Sequence, residues 1–214
     1  MLNDLRSTRT EMKWSQLADT DVVERTMAAL KANGINAQFV ATAAEARQKV
    51  RELLPEGAEV MNMTSQTLEA TGIAADILQS GRYNAVLNQW ARWDPATHAK
   101  EMRQTGAVPD WAVGSVHAVT AEGQVVVASA SGSQMPAYVF GAGHVVWVVG
   151  IQKIVPDLDA AFKRVYDYVL PLESERAHEA YGVPGSFVAK LLVLNKEFQP
   201  GRISMILVNQ VLGF

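Results

Sequence analysis

Apolar residues in the first hundred positions switch repeatedly between helical and extended spacing. Over residues 19–33, Val22, Val23, Met27, Ala28 and Leu30 share one helical stripe. Asp21 with Glu24 has the form of a capping box, and Asn33-Gly34 supplies a stop. A short apolar run over 35–40 predicts a strand. Thr42 with Glu45 forms a second capping box, opening a helix that Pro55 ends after Leu54. Residues 58–63 read as the next strand. The hydroxyl-rich stretch Thr64-Ser65-Gln66-Thr67 then leads into helical spacing that covers 73–79 and closes at Ser80-Gly81. A strand over 83–87 follows, and Pro95 starts a helix to about residue 105. Helices and strands alternating over short connections predict an α/β fold, a mostly parallel sheet sandwiched by helices.

The second half breaks this rhythm once. From 111 to 119, Val113, Ser115, His117 and Val119 fall on one face of an extended segment, with Gly114, Val116 and Ala118 on the other. Thr120-Ala121-Glu122-Gly123 is a turn with a late glycine, so an antiparallel hairpin is predicted to be inserted here, leading into Val125. Two continuous Val-rich runs follow, 125–128 and 145–149, separated by a Ser/Gly loop and a helix-like segment carrying Pro136. Unbroken apolar runs suit strands buried on both faces, and the helical crossover between them predicts parallel neighbours in one sheet. A helix over 156–169, a shorter charged helix over 171–181, and strands over 191–194 and 203–208 complete the chain. No repeat, linker or composition shift divides it. The expected organisation is an N-terminal arm or helix over 1–18, with Trp14 and Leu17 able to pack on the body, and one α/β domain over 19–214.

Composition narrows the functions. The 214 residues are 49% hydrophobic and 19% charged, enough apolar material for a substantial core. A net charge of −3 with scattered Lys and Arg points away from nucleic acid. There is no cysteine, which excludes disulfides, a thiol nucleophile and a thiolate-bound cluster on this chain. The N-terminus lacks the apolar core of a secretory signal, and the most apolar stretch, 137–151, is too short to span a bilayer. The expectation is a soluble cytoplasmic protein that contacts no membrane. His98, His117, His144 and His178 are single and lack metal-ligand spacing, so no metal and no cofactor is expected.

The chemistry-bearing positions cluster after strands. Ser131, Gly132, Ser133 and Gln134 lie where a strand ends and a helical segment begins, a place suited to an anion; the plainer account is a strand-to-helix turn with local serine caps. Lys153, just past the second Val-rich run, can pair with an anion or sit as a solvated lysine at a strand end. Thr64, Ser65 and Thr67 can form a second wall of the same cleft, although an N-cap needs only one of them. Glu69 and His117, with Lys153, are the candidates for catalysis; the helix dipole alone accounts for Glu69, and a sheet-face histidine needs only a neighbour. Trp90, Trp93 and Trp111 can line a pocket or pack in the core, and capping accounts for Asp94 ahead of His98.

Gly114-Ser115-Val116-His117-Ala118-Val119-Thr120-Ala121-Glu122-Gly123 resembles the S-x-N-A-I-T-x-x-G signature of the LUD family, the lactate-utilisation proteins of the LutC and YkgG type. Residues 141–155, GAGHVVWVVGIQKIV, resemble that family's G-P-x-x-V-I-x-V-V-G-x-N-K-I-V, and the 64–72 loop is similar to its S-x-T-x-x-E-x-G. The Ser131 loop and the helix carrying Arg164 fall where the family has equivalents. The match covers roughly 20–172. It implies a fold akin to the NagB/RpiA/CoA-transferase group. It also implies a small anionic metabolite, such as a hydroxy acid, sugar phosphate or acyl-CoA fragment, in lactate or related organic-acid utilisation, with iron–sulfur lactate-oxidation proteins as partners. Two alternatives stay open: a non-catalytic accessory or assembly subunit of an oxidase complex, and an isomerase, transferase or hydrolase of the NagB/RpiA/CoA-transferase type. Whether the chain is catalytic, and whether it is a monomer or a homo-oligomer, also stays open. The chain departs from the pattern at His117, where relatives carry Asn, and at Gln152, where they carry Asn before the lysine. It also lacks the C-terminal cysteine cluster of some relatives, which argues against direct electron transfer.

Overall fold

The computed structural model describes residues 14–214. Of the expected N-terminal arm, residues 1–13 lie outside the described residues; Trp14 is buried against the body and Leu17 is exposed. In chain order the strands are β1 (Asn36–Val40), β2 (Glu59–Asn62), β3 (Asn84–Ala85), β4 (Trp111–Gly114), β5 (Ala118–Thr120), β6 (Val125–Ser129), β7 (His144–Gly150), β8 (Ile154–Val155), β9 (Lys190–Leu194) and β10 (Ile203–Val208). The helices are α1 (Thr20–Ala32), α2 (Ala43–Leu53), α3 (Gln66–Ala70), α4 (Ile73–Gln79), α5 (Val86–Trp90), α6 (Pro95–Ala107), α7 (Leu158–Arg164) and α8 (Leu170–Tyr181).

A parallel sheet of order β1-β10-β7-β4-β2-β3 forms the centre. Its middle strand, β7, is buried on both faces. Val145, Trp147 and Val149 enter one apolar cluster with Leu30 and Met205, while Val146 and Val148 enter another with Val50, Leu68 and Ile206. At roughly 1.5–3 kcal/mol for each large apolar side chain taken from water, these residues anchor the sheet. Flanking helices form where the caps were legible: Thr42 Oγ1 accepts from the Glu45 N–H at 3.2 Å, and the Glu45 carboxylate accepts from the Ala41 N–H at 2.9 Å. A smaller mixed sheet of order β8-β5-β6-β9 packs beside the first. Val119, Val125 and Val127 point to the first cluster, and Ala118, Val126 and Ala128 to a third cluster under α7 and α8.

The α/β fold with its inserted β5–β6 hairpin agrees with expectation; several local expectations do not. The two Val-rich runs are not neighbours: β6 lies in the small sheet and β7 in the large one. Both sheets are covered on two faces, so an unbroken apolar run marks double burial without saying which sheet supplies it. The segment 111–119 is not one strand but two, β4 and β5, parted at Ser115–His117 where the chain passes from one sheet to the other. The strand expected over 83–87 is only Asn84–Ala85, after which the apolar residues turn helical. Asp21 and Glu24 make no capping box; Asp19 holds the N-cap position without a side-chain bond.

The helix expected to end before Pro171 instead runs on through a π-helical turn at Val165–Val169. The Leu170 N–H donates to Val165 O, five residues back. Pro171 has no N–H to give and its ring crowds the carbonyl four residues earlier, so the turn widens rather than breaks. No helix among the described residues is long and apolar enough to cross a membrane.

Candidate functional site

β2, β4 and β7 are neighbours in the large sheet, and their carboxyl ends deliver Asn62–Thr67, Ser115–His117 and Lys153 to one place. Open α/β sheets bind ligands beyond the carboxyl ends of their strands. Here two of the three strands also cross into the second sheet, β4 into β5 and β7 into β8, and β5 pairs with β8. The seam between the sheets is therefore lined by Ser115 and Lys153. A cleft of about 400 Å³ opens over it.

Lys153 lies at the bottom, 2% exposed. Its Nζ donates to Thr67 Oγ1 at 3.0 Å, Ser115 Oγ at 3.2 Å and Val116 O at 3.2 Å. Among the described residues no carboxylate pairs with it. Burial, reinforced by the Arg164 guanidinium, pushes its pKa well below the ordinary lysine value. Thr67 spends its own proton on Leu212 O at 3.0 Å. Ser115, accepting from the ammonium, keeps its hydroxyl proton free to point at a ligand.

His117 stands beside this group, half-buried in the wall. Its backbone carbonyl accepts from Arg164 Nη1 at 2.6 Å, and its Nδ1 accepts from the Ala128 N–H at 3.1 Å. A lone pair engaged at Nδ1 leaves the imidazole proton on Nε2. Burial first, then the Lys153 and Arg164 charges, lowers its pKa from 6.5 to about 3. The ring is a neutral N–H donor, and the general-base role is poorly served. Arg164 is itself fully buried, with Nε and Nη2 unpartnered among the described residues, its guanidinium 5.2 Å from the Tyr168 ring and its pKa lowered by burial to about 10. Two buried cations thus sit at the cleft without a carboxylate partner among the described residues. Leaving such charges uncompensated costs several kcal/mol each. Arg202, the other buried arginine, is different: it pairs with Glu197 at 2.8 Å and donates to the Ala137, Tyr138 and Ala142 carbonyls.

Of the residues singled out from sequence, Thr64, Ser65, Thr67, Ser131, Ser133, Gln134, His117 and Lys153 all line the cleft. Gly132 does not; its positive φ of 82° makes the turn. Two of the loop's amides are spent locally, Gly132 N–H on Ser129 Oγ at 2.8 Å and Ser133 N–H on Ser131 Oγ at 3.3 Å, and the loop adds the hydroxyls of Ser131 and Ser133 to the lining. Ser65 caps α3 through the Leu68 N–H at 3.4 Å. Glu69 is exposed and outside the cleft. Trp90 lines the cleft, whereas Trp93 stacks on His98 and Trp111 on His144.

Sequence reasoning passed over Ser115, Asn62 and Tyr138. Ser115 heads the S-x-N-A-I-T-like motif, and that was the available signal. Asn62 closes β2, is 3% exposed, and leaves Oδ1 without a partner among the described residues. Tyr138 arrives on a π-helical turn, Ala137–Gly141, and the second such turn, Val165–Val169, also supplies lining residues. Wide turns of this kind are frequent at functional sites. Among the described residues the one acidic side chain lining the cleft, Glu173, is held by two 2.7 Å bonds from Arg176.

The family model for the LUD domain matches residues 23–208. No curated protein matches the chain. A crystal structure of a DUF162 family protein from Deinococcus radiodurans has the same fold, with a TM-score of 0.56 at 15% identity, covering 91% of this chain and 100% of that one.

Proposed function

The chain belongs to the LUD domain family, and on that premise we propose that its cleft binds a small carboxylate, a hydroxy acid of organic-acid utilisation. The observation that carries this reading is the pair of buried cations, Lys153 and Arg164, with no carboxylate paired to either among the described residues. A ligand carboxylate supplies the missing charge. Ser115, His117 Nε2–H and Lys153 are its donors, and Asn62 Oδ1 is an acceptor for the ligand's hydroxyl. The Asn in the family pattern at position 117 fits the same role, because an amide is also a neutral N–H donor. The donors are aimed before the ligand arrives, which favours a ligand whose charge matches them.

Binding is linked to a proton. The free protein lowers the pKa of Lys153 by burial, and a carboxylate beside it raises it again. The acid therefore enters with proton uptake, and its affinity falls as pH rises. The test is titration calorimetry with a panel of hydroxy acids, simple carboxylates and phosphates in buffers of different ionisation enthalpy. A carboxylate that binds with proton uptake, and fails to bind Lys153→Met, is the expected result. No binding by any member, or binding that Lys153→Met leaves intact, overturns the reading.

A further inference from the structure

We infer that the ligand is an acid with an apolar body, a medium-chain or aryl-substituted carboxylic acid, rather than a three-carbon acid. The inference rests on the carboxylate reading and adds the chemistry of the rest of the molecule. A volume of about 400 Å³ is in the range, roughly 300–1,000 Å³, of sites that enclose drug-sized ligands. A three-carbon acid seated at Lys153 would leave most of it to water.

One wall of that space is polar, with Thr64, Ser131 and Ser133, and the facing wall is apolar. Met61, Met63, Leu87, Trp90 and Tyr138 line the cleft and belong to, or pack on, a single cluster of the core. The wall begins directly beside the polar floor. A Cβ on Gly114, the residue before Ser115, would overlap the Tyr138 hydroxyl and lie 3.3 Å from Met63 Cβ, so these two side chains close over the backbone next to the donor group. Trp90 adds a fixed apolar surface: its indole N–H is spent on Thr105 Oγ1 at 2.9 Å. Along this wall the hydroxyls of a sugar phosphate would meet no partner. An acyl chain or aromatic ring would release the water and cover the wall.

The experiment is calorimetry on the full chain with lactate, 2-hydroxyhexanoate, 2-hydroxyoctanoate and 3-phenyllactate. Affinity should tighten by about fourfold for each methylene buried, and Lys153→Met should abolish binding throughout the series. Leu87→Ala should weaken 2-hydroxyoctanoate by about tenfold and leave lactate unchanged. Equal affinity for lactate and the longer acids overturns this inference while the carboxylate reading stands. Binding of the longer acids that survives Lys153→Met overturns it too, because the apolar body would then be adsorbing without its anchor. If no acid binds the wild-type chain, the carboxylate reading falls and takes this inference with it.

Discussion

Lys153 Nζ stands 3.0 Å from Thr67 Oγ1, across 86 positions of sequence. The contact joins the turn after the central strand to the first turn of α3, and Thr67 passes the connection on to the carbonyl of Leu212 near the other end of the chain. Three segments therefore meet on one amine. The polar partners are hydroxyls and a carbonyl, so they satisfy the hydrogens of Lys153 without neutralising its charge. This places the amine under tension between solvation lost and function kept.

Lys153→Met should accordingly stabilise the protein while removing ligand binding. Replacing an unpaired buried charge by an apolar side chain of similar length is worth about 1–4 kcal/mol, at roughly 2–4 °C in Tm per kcal/mol for a chain of this size. The fold depresses the lysine pKa, whereas the unfolded chain keeps its proton to about pH 10.4. Below that value the unfolded state binds more protons, so wild-type stability rises with pH towards it. The advantage of Lys153→Met should shrink between about pH 7 and about pH 10. Urea denaturation of both proteins across this range checks it; an advantage independent of pH would show that the charge is not its source.

The opposite sign is expected at Arg202, a buried cation that has its carboxylate. Glu197→Ala leaves Arg202 without its carboxylate, in a site 4% exposed where its remaining bonds go to the carbonyls of Ala137 and Tyr138, which open the π-helical turn Ala137–Gly141, and of Ala142. Breaking a buried pair by removing one partner costs about 3–5 kcal/mol. Denaturant midpoints measure it, and a loss below about 1 kcal/mol would assign the pair to the class of surface ion pairs.

Why the depth of the lysine's burial was not legible is physical. After a strand, a lysine in sequence is ordinarily a solvated end. Its burial here depends on Ser115 and Thr67 from two other strand ends and on Leu212, none of which has a local relation to it. Features that depend on near neighbours were legible: the Thr42–Glu45 cap, the Pro95 start of α6, and Ile203–Val208, whose apolar run is a strand buried almost throughout. Features set by which sheet a strand joins were not. Val125–Ser129 and His144–Gly150 carry the same apolar pattern yet serve different sheets, because two-sided burial is all the pattern encodes. Asn62 reads as any polar residue ending a strand, and its unsatisfied oxygen exists only once Met61 and Met63 on either side have been buried.

His117 should remain neutral far below the usual pH for a histidine. With its pKa lowered from 6.5 to about 3, the ring's contribution to stability is complete above about pH 6.5 and is lost as pH falls towards about 3, because over that interval the unfolded chain takes up the proton first. Wild type should therefore lose stability faster on acidification than His117→Asn. Nitrogen-15 NMR of the ring should show the Nε2–H tautomer throughout the range. A ring that titrates near pH 6.5 would remove the neutral-donor assignment.

Gly114→Ala tests how the apolar wall meets the donor floor. Its Cβ would overlap the Tyr138 hydroxyl, which donates a long bond, 3.5 Å, to Ser115 O. Inserting an atom into packed surroundings costs about 1–3 kcal/mol. Tyr138→Phe removes the overlapping oxygen at little cost, and the nearest remaining atoms are the ring Cζ at 3.0 Å and Met63 Cβ at 3.3 Å. The penalty of Gly114→Ala should fall in that background, giving a coupling of at least about 0.5 kcal/mol in a double-mutant cycle. Tyr138 rides on a π-helical turn whose carbonyls are held by Arg202, so it cannot retreat by sliding the backbone. An additive cycle would mean that Met63 or the β4 backbone, rather than the tyrosine, sets the width of the cleft above Ser115.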